Sequence, residues 1–367
     1  VDTLFHLSDA NDNRCCGIRH RFLLPLEFHL LPSISGRGHP RIQPHSQPAV
    51  VERPGLWSAL GMTTPLKVAV TAWQLAGAHD YARQAAIAES IGLHSFWLPE
   101  SHFSGARSIP SPLMLLAAAA ATTTKIRLGS TSYLLPIRHP LHAAEEVAVL
   151  DCLSAGRVIL GVGRGVQESM FQAFDVKTRD KRKRFAANLE IMIRAWKGEP
   201  VVDGDDNAIL APLPLQKPHP PIWVAAFGPL AIKQAASLGL PYLASPVETL
   251  DQLESNYSHH RKLVREFGLD AVDIVPVMRT ILVSNNKREV EFVKTALAEP
   301  ATPAMRDQNA SIDDWTIVGD AHYVADKLSE YREKLGMTHL IARGRIPGVD
   351  DAAWISNLER LAEIALG

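Results

Sequence analysis

The stretch Pro99-Glu100-Ser101-His102-Phe103 places a carboxylate, a hydroxyl and an imidazole directly after the apolar run Phe96-Trp97-Leu98. An imidazole titrates near neutral pH and a neighbouring carboxylate can orient it, so this pairing suits general acid–base chemistry. Three further segments have the same form, an apolar run ending in small or polar residues. They are Thr131-Ser132-Tyr133 with Pro136-Ile137-Arg138-His139-Pro140, then Gly161-Val162-Gly163-Arg164-Gly165, then Ala225-Ala226-Phe227-Gly228-Pro229. A solvated loop would explain any one of them. Four at the same end of successive strands point to a ligand site.

The glycine loop is not a dinucleotide fingerprint. Val166 stands where the sixth-position glycine belongs, and no acidic residue ends the following strand. The loop does offer backbone that can approach an anion closely, and Arg164 adds a rigid donor fork suited to phosphate. The helix start at Gly228-Pro229 supplies free N–H groups for the same anion. The competing role for Arg164 is an ion pair with Glu168; for His102 it is the orientation of Glu100.

The elements that must position these residues alternate along the chain. Apolar, β-branched runs at 67–72, 94–98, 126–132, 157–162, 222–226, 241–244, 275–282 and 338–343 read as parallel strands buried on both faces. Amphipathic stretches at 79–91, 112–123, 140–153, 180–197, 229–238, 250–267, 320–335 and 351–366 read as helices. Eight alternations in an α/β chain of this length predict a (β/α)8 TIM barrel. An open eight-stranded sheet stays possible, because periodicity does not report closure. The helix at 320–335 runs through Gly336 straight into the last strand, so residues 285–316 form an insertion after strand seven. It lies at the end where barrel enzymes keep their sites, as a candidate lid or as surface decoration, with a helix at 286–297 and a tail at 299–315. With it, Trp73, Phe103, Tyr133 and Met170 make a mostly apolar pocket wall, which suits a medium-sized organic molecule.

Composition narrows the classes. Among 367 residues, Lys+Arg 38 against Asp+Glu 39 leave a formal charge of -1, which offers nothing to nucleic acid or an anionic membrane. Cys15, Cys16 and Cys152 give neither a disulfide framework nor metal-ligand spacing, and fit a reducing cytoplasm. No run reaches the roughly 18 apolar residues of a membrane helix. Residues 22–34 carry Glu27, His29 and two prolines, against a secretory signal. Residues 1–61 lack periodicity and are expected to be a disordered tail, or an extension upstream of a true start at Met62, leaving 62–367 as the folded domain.

From about residue 66 to 367 the chain resembles the bacterial luciferase-like flavin monooxygenase family. The resemblance rests on WLPESHF, on IRLGSTSYLLPIRHPLHAAEEVAVLDCLSAGRVILGVGRG, on LPLQKPHPPIWVAAFGPLAIKQAASLG and on TIVGDAHYVADKLSEYREKLGMTHLIARG. It implies an eight-stranded barrel that binds reduced FMN or, in a sister branch, the deazaflavin F420. It further implies a cis peptide at Thr131-Ser132 beside the flavin and a phosphate held by Arg164. The Val166 backbone and the Ala226-Phe227-Gly228 loop would complete that cradle, and Glu100 would lie near the ring. Ser101 departs from the family, which often has histidine there, and Gly163 stands in place of the luciferases' reactive cysteine. Ala226 and Phe227 stand where relatives often have glycine or serine. The implied activity is a two-component monooxygenase that takes reduced FMN from a separate reductase, uses O2, and works as a homodimer in the cytoplasm. His102 and Glu100 would be its catalytic residues, since an unactivated serine is no substitute for a histidine base. Light emission is not expected. F420-dependent hydride transfer and flavin binding without turnover are the alternatives.

Overall fold

The computed structural model describes residues 65–74, 78–105, 108–298 and 310–366. The expectations for 1–61 and for most of the 299–315 tail lie outside those residues. Along the chain run β1 (Lys67–Thr71), α1 (Ala78–Ile91), β2 (Ser95–Leu98), α2 (Pro112–Thr122), β3 (Arg127–Ser130), β4 (Tyr133–Leu134) and α3 (Pro140–Leu153). They continue with β5 (Val158–Gly163), α4 (Glu168–Ala173), α5 (Lys181–Trp196), β6 (Ile222–Ala225), α6 (Pro229–Ser237), β7 (Tyr242–Leu243) and α7 (Leu250–Glu266). The remainder is β8 (Pro276–Val283), α8 (Lys287–Ala298), α9 (Ile312–Trp315), β9 (Thr316–Gly319), α10 (Ala321–Leu335), β10 (His339–Ala342) and α11 (Asp351–Leu366). Hydrogen-bonded neighbours follow the order β7-β6-β5-β3-β2-β1-β10-β8-β9, every pair parallel.

The strands are apolar on consecutive positions because each serves two layers. Ala69, Trp97, Ile159, Trp223, Leu243, Met278 and Ile341 form an inner core of their own. Their neighbours, such as Val70, Phe96, Leu98, Leu160 and Val224, pack under the helices. The indoles of Trp97 and Trp223 stack with centroids 4.9 Å apart and fill the interior. β3 makes room for them at Gly129, where a Cβ would come within 2.3 Å of the Trp97 ring.

Closure between β7 and β8 comes from side chains. The Tyr257 hydroxyl on α7 reaches the carbonyl oxygens of Tyr242 on β7 and Pro276 on β8. Arg279 of β8, fully buried, donates to the Glu248 and Pro246 carbonyls beyond β7, at 2.6 and 3.3 Å. The Glu248 carboxylate accepts from the Tyr242 hydroxyl, the Ser245 N–H and the Asn256 amide. A two-residue β7 is too short to supply a ladder, so a satisfied polar network closes the barrel. The open-sheet alternative is thereby excluded.

The insertion holds the expected helix, α8, and is followed by a strand that the sequence reading missed. β9 pairs with the outer half of β8, from Thr280 opposite Thr316 to Val283 opposite Gly319. The crossover helix α10 begins on Asp320, whose carboxylate accepts from Tyr323 N–H at 2.9 Å. It ends at Gly336, with φ 71°, the left-handed conformation that glycine adopts without penalty.

The opposite, N-terminal end of the barrel carries a histidine pair. The rings of His94 and His339 lie 5.1 Å apart, and His339 also contacts Trp223. Burial, with Lys67 and Arg127 nearby, pushes His94 down to about 4; burial, His94, Lys67 and Arg127 push His339 down to about 3. Both values lie below that of a free imidazole, so the stabilisation is complete above that range and is lost as pH falls towards the folded values. Denaturant unfolding should show stability dropping by on the order of 6 kcal/mol between pH 7 and pH 4 from this pair. His339→Gln should remove a large part of that slope.

Candidate active site

β2 ends at Leu98 and delivers Glu100 into the fold with its side chain fully buried. Glu100 Oε1 accepts from His102 Nε2 at 2.6 Å and from Arg138 Nη1 at 2.7 Å, and Oε2 accepts from Leu134 N–H at 2.8 Å. One carboxylate therefore joins the loop after β2 to the turn after β3. Arg138 also donates to the Leu134 carbonyl at 2.9 Å and lies 3.9 Å over the Tyr133 ring. Burial pushes the Tyr133 phenol up, and its hydroxyl donates to Glu146 of α3. Glu100 thus has its oxygens committed within the protein, whereas the resemblance placed it at the flavin.

The Thr131-Ser132 peptide is cis. It separates β3, which pairs with β2, from β4, which pairs with β5. Ser132 then lies against Gly163, where a Cβ would come within 2.0 Å of the Ser132 Oγ. The site has no room for a cysteine at 163 while Ser132 holds this position.

Ser101 braces its own loop. Its backbone exchanges hydrogen bonds with Ile109 at 3.1 and 3.0 Å, and its hydroxyl accepts from Ile109 N–H at 3.1 Å. The adjacent His102 ring is buried, with the Phe174 ring edge-on at 5.0 Å. Phe103 has φ 55°, a strained value for a bulky residue, and is 62% exposed at 6.1 Å from Phe174.

The anion-binding features gather after β5. Arg164 is half-buried and has no hydrogen-bonding or ion-pair partner among the described residues. The alternative pair with Glu168 does not form, because Glu168 accepts from the Thr178 hydroxyl at 2.6 Å. Lys181, the first residue of α5, reaches the Gly165 carbonyl at 3.4 Å. Burial and Arg182 lower the pKa of Arg164; burial and Arg164, less so Arg182, lower that of Lys181 against an opposing pull from Glu168. Three cations thus crowd one loop with a single carboxylate near, an arrangement that an anion would relieve. The next strand over, β6, leads into buried Ala226, half-buried Phe227 and buried Gly228, with φ 88°, at the start of α6. Val166 is 88% exposed.

Residues 59–339 match the family described as luciferase-like monooxygenase. The chain belongs to that family. It is 30% identical over 214 residues to the oxygenase component of the flavin-dependent trigonelline monooxygenase of Acinetobacter baylyi, covering 56% of this chain and 59% of the relative. The chain spans about half the length of the curated relatives it matches. Among solved structures, the oxygenating constituent of 3,6-diketocamphane monooxygenase of Pseudomonas putida, in complex with FMN, superposes with TM-score 0.71 at 21% identity, over 82% of this chain and 97% of that one. An F420-dependent secondary alcohol dehydrogenase superposes with TM-score 0.66 at 19% identity, over 82% of this chain and 99% of that one. At these identities the two structures establish the fold, a TIM barrel.

Within this family member, three of the four residues expected to wall the pocket are engaged elsewhere. The Trp73 indole donates to Asp351 of α11 at 2.8 Å and meets Phe96 edge-to-face. Tyr133 is held between Arg138 and Glu146. Met170 packs with Leu134, Phe171 and Val176 in a satellite cluster. Trp73 and Tyr133 pair an apolar body with a polar tip, and the tip found its partner on a helix. Phe103 alone stands open to solvent. The sequence reading missed Arg138, Lys181, Arg182 and Phe174; only the quoted Pro-Ile-Arg-His-Pro run carried a signal for one of them. Among the described residues no His, Cys, Asp and Glu group could hold a metal ion, and no helix is long and apolar enough to cross a membrane.

Proposed function

We propose that this chain is the oxygenase of a two-component flavin-dependent monooxygenase, taking reduced FMN from a separate reductase and using O2 to oxidise a medium-sized organic molecule. The observation that carries the reading is the Arg164–Lys181–Arg182 cluster at the strand-end face, in which Arg164 has no partner among the described residues. Three cations with open backbone N–H groups suit a phosphate monoester dianion, which FMN carries, better than the single charge of the F420 phosphodiester. Arg164 would grip the phosphate, with the Val166 backbone and the Ala226-Phe227-Gly228 loop around it. Thr131 and Ser132 would lie under the ring system.

When bound, reduced flavin supplies the two electrons and the reaction with O2. The chain's residues would do the remainder. Phe103 and Phe174, exposed at the mouth, would cover a bound flavin against water, and a dry site strengthens every electrostatic contact. His102 is the imidazole placed to hold or take a proton. Glu100 orients it and touches no reacting atom, which makes it a positioning residue. A second copy of the chain would cover apolar surface on the outside of the barrel. α2 has no charged residue, and Met114, Val149 and Leu153 are exposed on α2 and α3.

The test is whether protein loaded anaerobically with reduced FMN transfers one oxygen atom from O2 to an organic acceptor.

A further inference from the structure

We propose that Arg138 and Glu100 together decide which nitrogen of His102 is basic: Nε2 keeps its proton, and Nδ1 presents the lone pair to the site. Arg138 is then a positioning residue for a proton transfer it does not touch. The identity of the proton donor rests on the proposed function; the tautomer does not.

The geometry carries three parts. First, Glu100 Oε1 lies 2.6 Å from His102 Nε2, and an ionised carboxylate only accepts, so the proton of that contact resides on Nε2. Second, Arg138 keeps that oxygen an acceptor. Its guanidinium, permanently charged, sits 2.7 Å from the same Oε1, while Leu134 N–H occupies Oε2 at 2.8 Å. Third, His102 Nδ1 has no hydrogen-bond partner among the described residues. The Ser101–Ile109 bridge and the Phe174 edge hold the ring in place.

Arg138 is itself immobilised. It donates to the Leu134 carbonyl and stacks over Tyr133. Asn188 of α5 donates to the carbonyls of Arg138 and Leu135 at 3.0 and 2.9 Å. Glu146 is the further carboxylate in this network, and the Tyr133 hydroxyl occupies it. The clamp therefore spans the β2 loop, β4, α3 and α5. A proton arriving at Nδ1 makes the ring a cation against the Glu100 carboxylate, with no bond formed or broken besides the one to that proton. Serine at 101 leaves this imidazole as the only one in its loop.

The experiment is long-range 1H–15N correlation of 15N-histidine-labelled full-length protein at pH 8, without cofactor, with His102 assigned by difference from His102→Gln. The expected result is a protonated Nε2 and an unprotonated Nδ1 in the wild type. Arg138→Met should give a mixture of tautomers, and Arg138→Lys should restore the wild-type pattern. With reduced FMN, Arg138→Met should lower kcat about 100-fold, the range of a lost general base. Its affinity for reduced FMN should stay within about twofold of wild type, since Arg138 donates to Glu100 and to the Leu134 carbonyl and not to the Arg164 loop. A wild-type ring protonated on Nδ1 would overturn the proposal, and so would an Arg138→Met protein with wild-type tautomer and kcat. If the wild type itself does not turn over, the proposed function fails while the tautomer result still stands or falls alone.

Discussion

Arg164→Met should weaken reduced FMN by about 100-fold while leaving reduced riboflavin within about threefold, because a charge-assisted contact to phosphate is worth roughly 1.5–3 kcal/mol. Riboflavin lacks the phosphate, so the pair of ligands separates loss of that contact from general damage to the site. The large effect follows from burial. Arg164 is half-buried beside Arg182 with no acceptor among the described residues, so its charge is only poorly screened. Arg182→Met should cost less, since Arg182 is exposed to solvent. Raising the salt concentration should weaken FMN and spare riboflavin. Anaerobic fluorescence titration reads all of these. Equal losses for both flavins in Arg164→Met would move the phosphate elsewhere.

Gly161→Ala should destabilise the protein by about 3 kcal/mol or more, since an added carbon here meets backbone that cannot give way. A Cβ at 161 would come within 1.9 Å of the Ser130 carbonyl oxygen. Ser130 is also bound from the other direction, its hydroxyl donating to the Gly161 carbonyl at 2.8 Å. Relief requires β3 and β5 to part, just before the cis turn and three residues ahead of Arg164, so flavin affinity should fall with stability. Gly163→Ala is the contrasting case. The obstruction there is the Ser132 side chain, and adding Ser132→Ala should recover part of the loss, since it removes the Oγ at 2.0 Å and leaves the Cβ at 2.9 Å. Denaturant unfolding measures both, and a Gly161→Ala protein within 1 kcal/mol of wild type would contradict the close packing of β3 on β5 (about the spread of ordinary substitutions).

The barrel was legible because parallel strands buried on both faces appear as short apolar runs, and all eight were found within a residue or two of their ends. What escaped was short or depended on distant partners. β4 is separated from β3 by only Thr131 and Ser132, and β9 follows α9 without a break, so neither stands apart as an apolar run of its own. Closure was invisible because it rests on Arg279, Tyr257 and Glu248, which read as ordinary strand, helix and loop residues.

The site divides in the same way. Glu100 and His102 were legible as neighbours in sequence, and the structure joins them directly. Arg138, which completes the same cluster, lies 38 positions away from Glu100. The Arg164–Glu168 pair does not form: α4 starts only at Glu168, so no helical spacing brings the two together, and Glu168 is bonded to Thr178. Ser101 looked like the chief departure from the family. In the fold it is a brace, bonded to Ile109, and the imidazole beside it is the one that the buried carboxylate holds.

The most direct test of the central claim is isotopic. Protein loaded anaerobically with reduced FMN is mixed with 18O2 and a panel of apolar organic acceptors, and the products are weighed by mass spectrometry. The account predicts a product carrying one 18O atom, formed with reduced FMN and not with reduced F420. Turnover with F420 alone and no incorporated oxygen would contradict it, as would flavin binding with no product from any acceptor.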